Sequence, residues 1–180
     1  MKYYILFALL VFGLTSSAQI SKASLQASGL TCSMCSKAVK EALEEVSFVE
    51  KVMVDIKSQR YNLTFKSDAK VDIDALGKAV EDAGFSVAQL KVTLPVTDLE
   101  VKKDEHVKIG ENYFHFLNAD GKRLNGDATF TLVDKQYLSE KDFKKYSSSS
   151  KMECVKTGFS ENCCKQDNIA EHTRIYHVII

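Results

Sequence analysis

Two cysteines, Cys32 and Cys35, stand two residues apart in the run Gly29-Leu30-Thr31-Cys32-Ser33-Met34-Cys35. Thiolate is the form of cysteine that ligates metals, and it binds soft ions such as Cu(I) and Hg(II). With one sulfur at the end of a loop and the other in the first turn of a helix, this spacing lets both reach one point. The positive end of such a helix lowers thiol pKa values, so thiolate is available near neutral pH. An ion carried on two protein ligands keeps an open side through which a partner's thiols can enter, which suits transfer rather than storage. The same spacing also permits a redox disulfide between Cys32 and Cys35. Two features argue against a thioredoxin-like site: the chain has no tryptophan, and its one proline, Pro95, lies too far downstream to sit in a loop beside the cysteines. Met34, between the pair, carries a thioether suited to Cu(I), but helix geometry aims it away from the ligands.

The flanking sequence predicts the elements that hold this loop. Before it, Ala23, Leu25 and Ala27 alternate with Ser24, Gln26 and Ser28, the period of a strand with one buried face. After it, Ala38, Val39, Ala42, Leu43 and Val46 form a helical stripe, with Lys37, Lys40, Glu41, Glu44 and Glu45 facing away, so a helix over about 33–46 follows. Val52, Val54 and Ile56, then Tyr61, Leu63 and Phe65, alternate around Ser58-Gln59-Arg60 and predict two strands joined by a tight connection. Ile73, Leu76, Ala79, Val80 and Ala83 repeat at helical spacing behind Asp72 and Asp74, and Gly84 ends that helix. Phe85, Val87, Leu90, Val92 and Leu94 give a last strand with a phase slip near Ala88 and Gln89 that marks a bulge. The order is βαββαβ, a split βαβ of the ferredoxin-like α+β class.

Leu25 to Leu94 resembles the heavy-metal-associated domain, a module of copper chaperones, of the N-terminal repeats of copper P-type ATPases, and of the periplasmic mercuric-ion carrier. The resemblance rests on element order, the Gly29-x-Thr31-Cys32-x-x-Cys35 loop, and the Gly84-Phe85 pair, which in the family closes a hydrophobic cap under the metal loop. Leu30 departs from the methionine common there; that residue usually packs inward, and leucine keeps its bulk. The resemblance implies that Cys32 and Cys35 are the metal ligands. Cu(I) is the first expectation, with Hg(II), Zn(II) or Cd(II) as other occupants, and the partner is a metal-transporting membrane protein or another carrier. On this reading the protein is a monomeric binder and not an enzyme. Two alternatives stay open: a thiol-disulfide oxidoreductase using the same pair, and a metal-sensing module regulating the second half.

The remainder of the 180 residues sets the context. Lys2, the apolar run Tyr3 to Leu14 and the small residues Ser16-Ser17-Ala18 read as a signal peptide over 1–18 cleaved before Gln19, which implies a periplasmic address. Exposed thiols there oxidise unless liganded or kept reduced. With 24 basic and 24 acidic side chains, the chain lacks the basic footprint of a nucleic-acid binder. Beyond the module over 19–94, residues 95–105 read as a linker and 106–180 as a small α+β or β-rich domain. Within it the pattern predicts a hairpin of Tyr113–Leu117 with Lys122–Leu124, a turn at Asn125-Gly126-Asp127, a strand over Ala128 to Val133, and a capped helix opening at Ser139. For Cys154, Cys163 and Cys164 the plain expectation is a disulfide from Cys154 to Cys163 or Cys164, against a second soft-metal site joined by Met152, His172 or His177. His106 and His115 read as ordinary surface or partly packed residues.

Overall fold

The computed structural model describes residues 19–67 and 69–180, so the segment read as a signal peptide lies outside the described residues. Strand β1 (Lys22–Ser28) leads into helix α1 (Ser33–Glu44), followed by β2 (Val49–Asp55), β3 (Arg60–Phe65), α2 (Ile73–Asp82) and β4 (Ser86–Val101). β1 pairs antiparallel with both β3 and β4, and β2 with β3, which is the ferredoxin-like order β2-β3-β1-β4. The expected bulge is real: Gln89 opposes Gln26 while Val87 opposes Ala27, so Ala88 is the extra residue.

Burial follows the period of the strands that flank the cysteine loop. Ala23, Leu25 and Ala27 of β1 point into the core, as do Tyr61, Leu63 and Phe65 of β3. Val39 and Leu43 of α1 meet them, each removing an apolar side chain from water for about 1.5–3 kcal/mol. Ala38, placed on the apolar stripe from sequence, is exposed, so that stripe is narrower than expected. α2 is capped by Asp72, which accepts from the Asp74 and Ala75 amides, and Gly84, at φ +86°, takes the left-handed turn that ends it.

The expected linker is not one. β4 runs on through Pro95 to Val101, with Leu94, Val96 and Val101 buried along the same face as Leu90 and Val92. Pro95 is tolerated there because its ring nitrogen faces the β1 side, where pairing with β1 ends at Thr93, so no ladder bond is lost. That strand is β7 (Lys122–Leu132), reached after β5 (Glu105–Ile109) and β6 (Asn112–Phe116). The chain closes with α3 (Glu140–Ser147), the short α4 (Cys154–Thr157) and β8 (Ile175–Ile179). All strands join one sheet in the order β2-β3-β1-β4-β7-β8-β6-β5. The second half is therefore an extension of the first sheet, not a domain beyond a tether. Its core is also shared, since Phe114, Phe116 and Phe130 belong to the same apolar cluster as Leu25 and Leu90.

Two further expectations change. β6 forms its hairpin with β5 across Gly110-Glu111, and its other neighbour is β8, in parallel; it does not pair with β7. Asn125-Gly126-Asp127 lies within β7 and not at a turn. The helix opening at Ser139 is as expected, with the Asp142 amide donating to Ser139 Oγ at 3.2 Å.

Candidate metal centre

Cys32 is the N-cap of α1, in extended conformation, and its sulfur accepts from the Cys35 amide at 3.2 Å. The two sulfurs lie 2.6 Å apart, with Cys32 exposed and Cys35 half-exposed. They thus converge at the surface, at the positive end of a twelve-residue helix with no acidic residue in its first turn. The hydrogen bond with Cys32 holds the Cys35 thiol below the ordinary cysteine range; desolvation, next in size, opposes it, and backbone donors at Thr31 and Cys32 add to the lowering. An ion held linearly by two thiolates with bonds of about 2.3 Å needs the sulfurs about 4.6 Å apart, a separation that rotation of the two uncrowded side chains supplies.

The loop is fixed from below. Gly29, at φ +84°, makes the turn out of β1, and a side chain there would meet Phe85 Cδ1 at 3.9 Å. Leu30 and Phe85 pack against the core, so leucine serves where bulk is what counts. Tyr61, fully buried, reaches the first turn of α1, where its hydroxyl donates to the Ser36 carbonyl at 3.2 Å and lies 3.0 Å from Ser36 Oγ. Gln59 Nε2 donates to the Leu30 carbonyl at 3.3 Å and ties the loop to the β2–β3 turn. Met34 is 70% exposed, which leaves two sulfurs, not three, at this point.

Residues 24–86 match the heavy-metal-associated domain. Over 62 residues the chain is 42% identical to the mercuric transport protein periplasmic component of Serratia marcescens, an alignment covering 34% of this chain and 67% of that one. Over 66 residues it is 33% identical to the copper chaperone CopZ of Bacillus subtilis, covering 37% of this chain and 94% of CopZ. This chain belongs to the heavy-metal-associated domain family. Among solved structures, oxidized MerP from Ralstonia metallidurans CH34 aligns at 37% identity and a TM-score of 0.34, over 37% of this chain and 92% of that one. The matched module, a metal-binding unit, runs from β1 to the start of β4.

Outside the heavy-metal-associated domain the remaining cysteines gather into one place. All five cysteines are free thiols, so the expected disulfide from Cys154 is not formed. Cys154 and Cys164 are fully buried and Cys163 partly so. Neither His172 nor His177 lies among the residues grouped with them; the histidines there are His106 and His115. Cys154 Sγ is 3.6 Å from His106 Nε2 and 3.7 Å from His115 Nδ1, and Cys164 Sγ is 3.7 Å from His106 Nε2. His106 and His115 are register partners across β5–β6, and His115 is the partner of His177 across β6–β8, so three imidazoles stand in line over three strands. His106 Nδ1 bonds Asp167 at one end, and His177 Nδ1 bonds Asp134 at 2.9 Å at the other. Asp104 Oδ1 lies 3.3 Å from His115 Nε2, at ion-pair distance; among the described residues neither that nitrogen nor His177 Nε2, both buried, has an aligned hydrogen-bond partner. Burial pushes the His115 imidazole down to about 3, with His177 and His106 adding to the effect, and burial also pushes the Cys154 thiol up, reinforced by Cys164 and Cys163. The sequence carried a signal for the histidine pair: His106 and His115 are equidistant from Gly110-Glu111, so a two-residue turn there sets them opposite each other.

Proposed function

We propose that this protein is an extracytoplasmic carrier that takes Cu(I) or Hg(II) between Cys32 and Cys35 and passes it to a partner protein by stepwise thiolate exchange. The observation that carries the reading is the exposed convergence of two sulfurs at the head of α1, which among the described residues join no cluster of three cysteine, histidine or carboxylate ligands. A two-coordinate ion is stable there, yet open to an incoming thiol, which binds as a third ligand before one of the original two leaves. The receiving thiols belong to another molecule, because Cys154 and Cys164 within this chain are covered. Membership of a family whose relatives include a mercuric transport protein and a copper chaperone supports the soft-ion class.

The test is titration of fully reduced protein with Cu(I) and with Hg(II) against a chromogenic chelator. The expected result is that Cys32→Ser/Cys35→Ser binds one ion per chain fewer than the parent, and that this ion passes within seconds from the parent to a dithiol acceptor. Unchanged binding by the double variant would end the proposal. The close approach of the sulfurs also suits a reversible disulfide, and turnover of a model disulfide that depends on Cys32 would favour the oxidoreductase reading instead.

A further inference from the structure

We infer that His106, Cys154, Cys163 and Cys164 form a second, closed metal site that retains a thiophilic cation, Zn(II) in four-coordinate form. Three of the six donor-to-donor spacings match that geometry. With Zn–S bonds of about 2.3 Å and Zn–N of about 2.0–2.1 Å, the edges of a tetrahedron are about 3.5–3.8 Å. The observed edges are 3.6 Å from Cys154 Sγ to His106 Nε2, 3.7 Å from Cys164 Sγ to the same nitrogen, and 3.5 Å from Cys163 Sγ to Cys164 Sγ. The three sulfurs all lie within 4.8 Å of one another.

The surroundings are those of a ligand set. His106 Nδ1 is 2.7 Å from Asp167 Oδ2, the carboxylate–histidine pairing that fixes the ring with Nε2 free to face an ion. The His106 side chain is wholly covered although its bond partner Asp167 is 42% exposed, so the imidazole is oriented from the surface and used inside. His115 Nδ1, 3.7 Å from Cys154 Sγ, is placed to donate to that sulfur once it is a thiolate. The donors come from β5, α4 and the 3-10 turn Asn162–Asp167, three segments well separated in the chain. An ion there cross-links them, with the thiol protons released to solvent on binding. Burial distinguishes this site from the first: Cys32 and Cys35 offer an open side, whereas Cys154 and Cys164 are covered and only Cys163 of the three sulfurs is partly exposed.

The experiment uses the full chain carrying Cys32→Ser/Cys35→Ser, so that the first pair is silent and its own role does not bear on the outcome. Reduced protein is loaded with Zn(II), passed over a desalting column with a chelator of micromolar affinity, and measured by native mass spectrometry and metal analysis. One retained Zn(II) per chain, a raised melting temperature and, with Co(II) as probe, thiolate-to-metal charge-transfer absorption in the near ultraviolet are expected. Cys154→Ser/Cys164→Ser should abolish retention. Because that variant removes buried residues, Asp167→Asn, at an exposed position, provides the second arm. It should fold normally and weaken Zn(II) about 10–100-fold. No retained Zn(II) in the reduced Cys32→Ser/Cys35→Ser chain would overturn the inference. So would a native mass lower by two hydrogens with Cys154 in a disulfide, or Zn(II) affinity unaffected by both Asp167→Asn and His106→Gln.

Discussion

Arg174 is one polar tie between the two halves, and replacing it with methionine tests how much that tie contributes. Its guanidinium donates from Nε to Asp74 Oδ2 at 2.8 Å and from Nη2 to Asp74 Oδ1 at 3.0 Å, at the start of α2. Nη1 donates to Asp134 Oδ1 at 3.0 Å, beside β7, and to the Gly158 carbonyl at 2.9 Å. The two carboxylates are not equivalent. Asp74 is 39% exposed and keeps Tyr137 and Gln136 as donors, so its share is that of a surface pair, about 0–1 kcal/mol. Asp134 is 3% exposed, and stripping one partner from a buried pair costs about 3–5 kcal/mol. Asp134 retains the His177 amide and Nδ1 as donors, which places its share at the low end of that range. Arg174→Met, which keeps most of the apolar stem, should therefore destabilise by about 3–4 kcal/mol, or about 6–16 °C in Tm for a chain of this length.

Urea unfolding at pH 7, followed by far-ultraviolet circular dichroism, reads this directly. The diagnostic result is a change of sign: Asp134→Asn should destabilise the wild-type chain but stabilise the Arg174→Met chain, where it removes a buried charge left short of a partner. A loss under about 1 kcal/mol for Arg174→Met, or an Asp134→Asn effect of equal size and sign in both backgrounds, would refute the reasoning.

Three more outcomes follow from the same geometry. Burial alone would raise the Asp74 carboxyl, but the hydrogen bonds and charge of Arg174, with Tyr137 and Gln136, hold it below the usual carboxylate range. Its contribution is then complete above the unfolded value of about 3.9 and lost as pH falls through the folded one. The stability gap between wild type and Asp74→Asn should accordingly be flat above about pH 5 and close below about pH 4. In reduced, metal-free protein at pH 7, iodoacetamide should modify Cys35 ahead of Cys154, whose thiol is raised by burial, and peptide mapping reports the order; equal rates would contradict the site geometry. Gly29→Ala should cost about 1–2 kcal/mol in a urea melt, because φ +84° is left-handed while a β-carbon there would meet Phe85 Cδ1 only at ordinary contact distance, and Gly29→Asn should cost less.

The first half was legible because each element carries its own period and punctuation. Leu25 and Ala27 alternate into a loop, Asp72 caps α2, Gly84 ends it, and the phase slip at Ala88 marks a bulge that the register confirms. The second half was less so, for identifiable reasons. Pro95 and the polar residues after it read as a break, yet Leu94, Val96 and Val101 keep one buried face across it. Parallel pairing of β6 with β8 is a contact between residues far apart in the chain, and short β-prone runs do not name their partners. The site residues divide the same way. Cys32 and Cys35 announce themselves by spacing, whereas His106 meets Cys154 and Cys164 only through tertiary structure.

Edge strands explain why the added strands lie where they do. The outer edge of β4 is a row of backbone donors and acceptors, and left bare it would template association with another chain. Here β7 covers it from Lys91 to Val101, and the sheet continues until β5. The two edges left are β2 and β5. Both are guarded: β2 carries Glu50, Lys51 and Asp55 exposed to water, and β5 is five residues long with exposed Glu105 and Lys108. A chain cut after Leu94 would lose this cover and the Arg174 bridge together, and would expose apolar side chains that now face Phe114, Phe116 and Phe130. Such a fragment should therefore self-associate, read as a concentration-dependent mass in light scattering. A monomeric, fully folded fragment would show that the shared core contributes little to the first half.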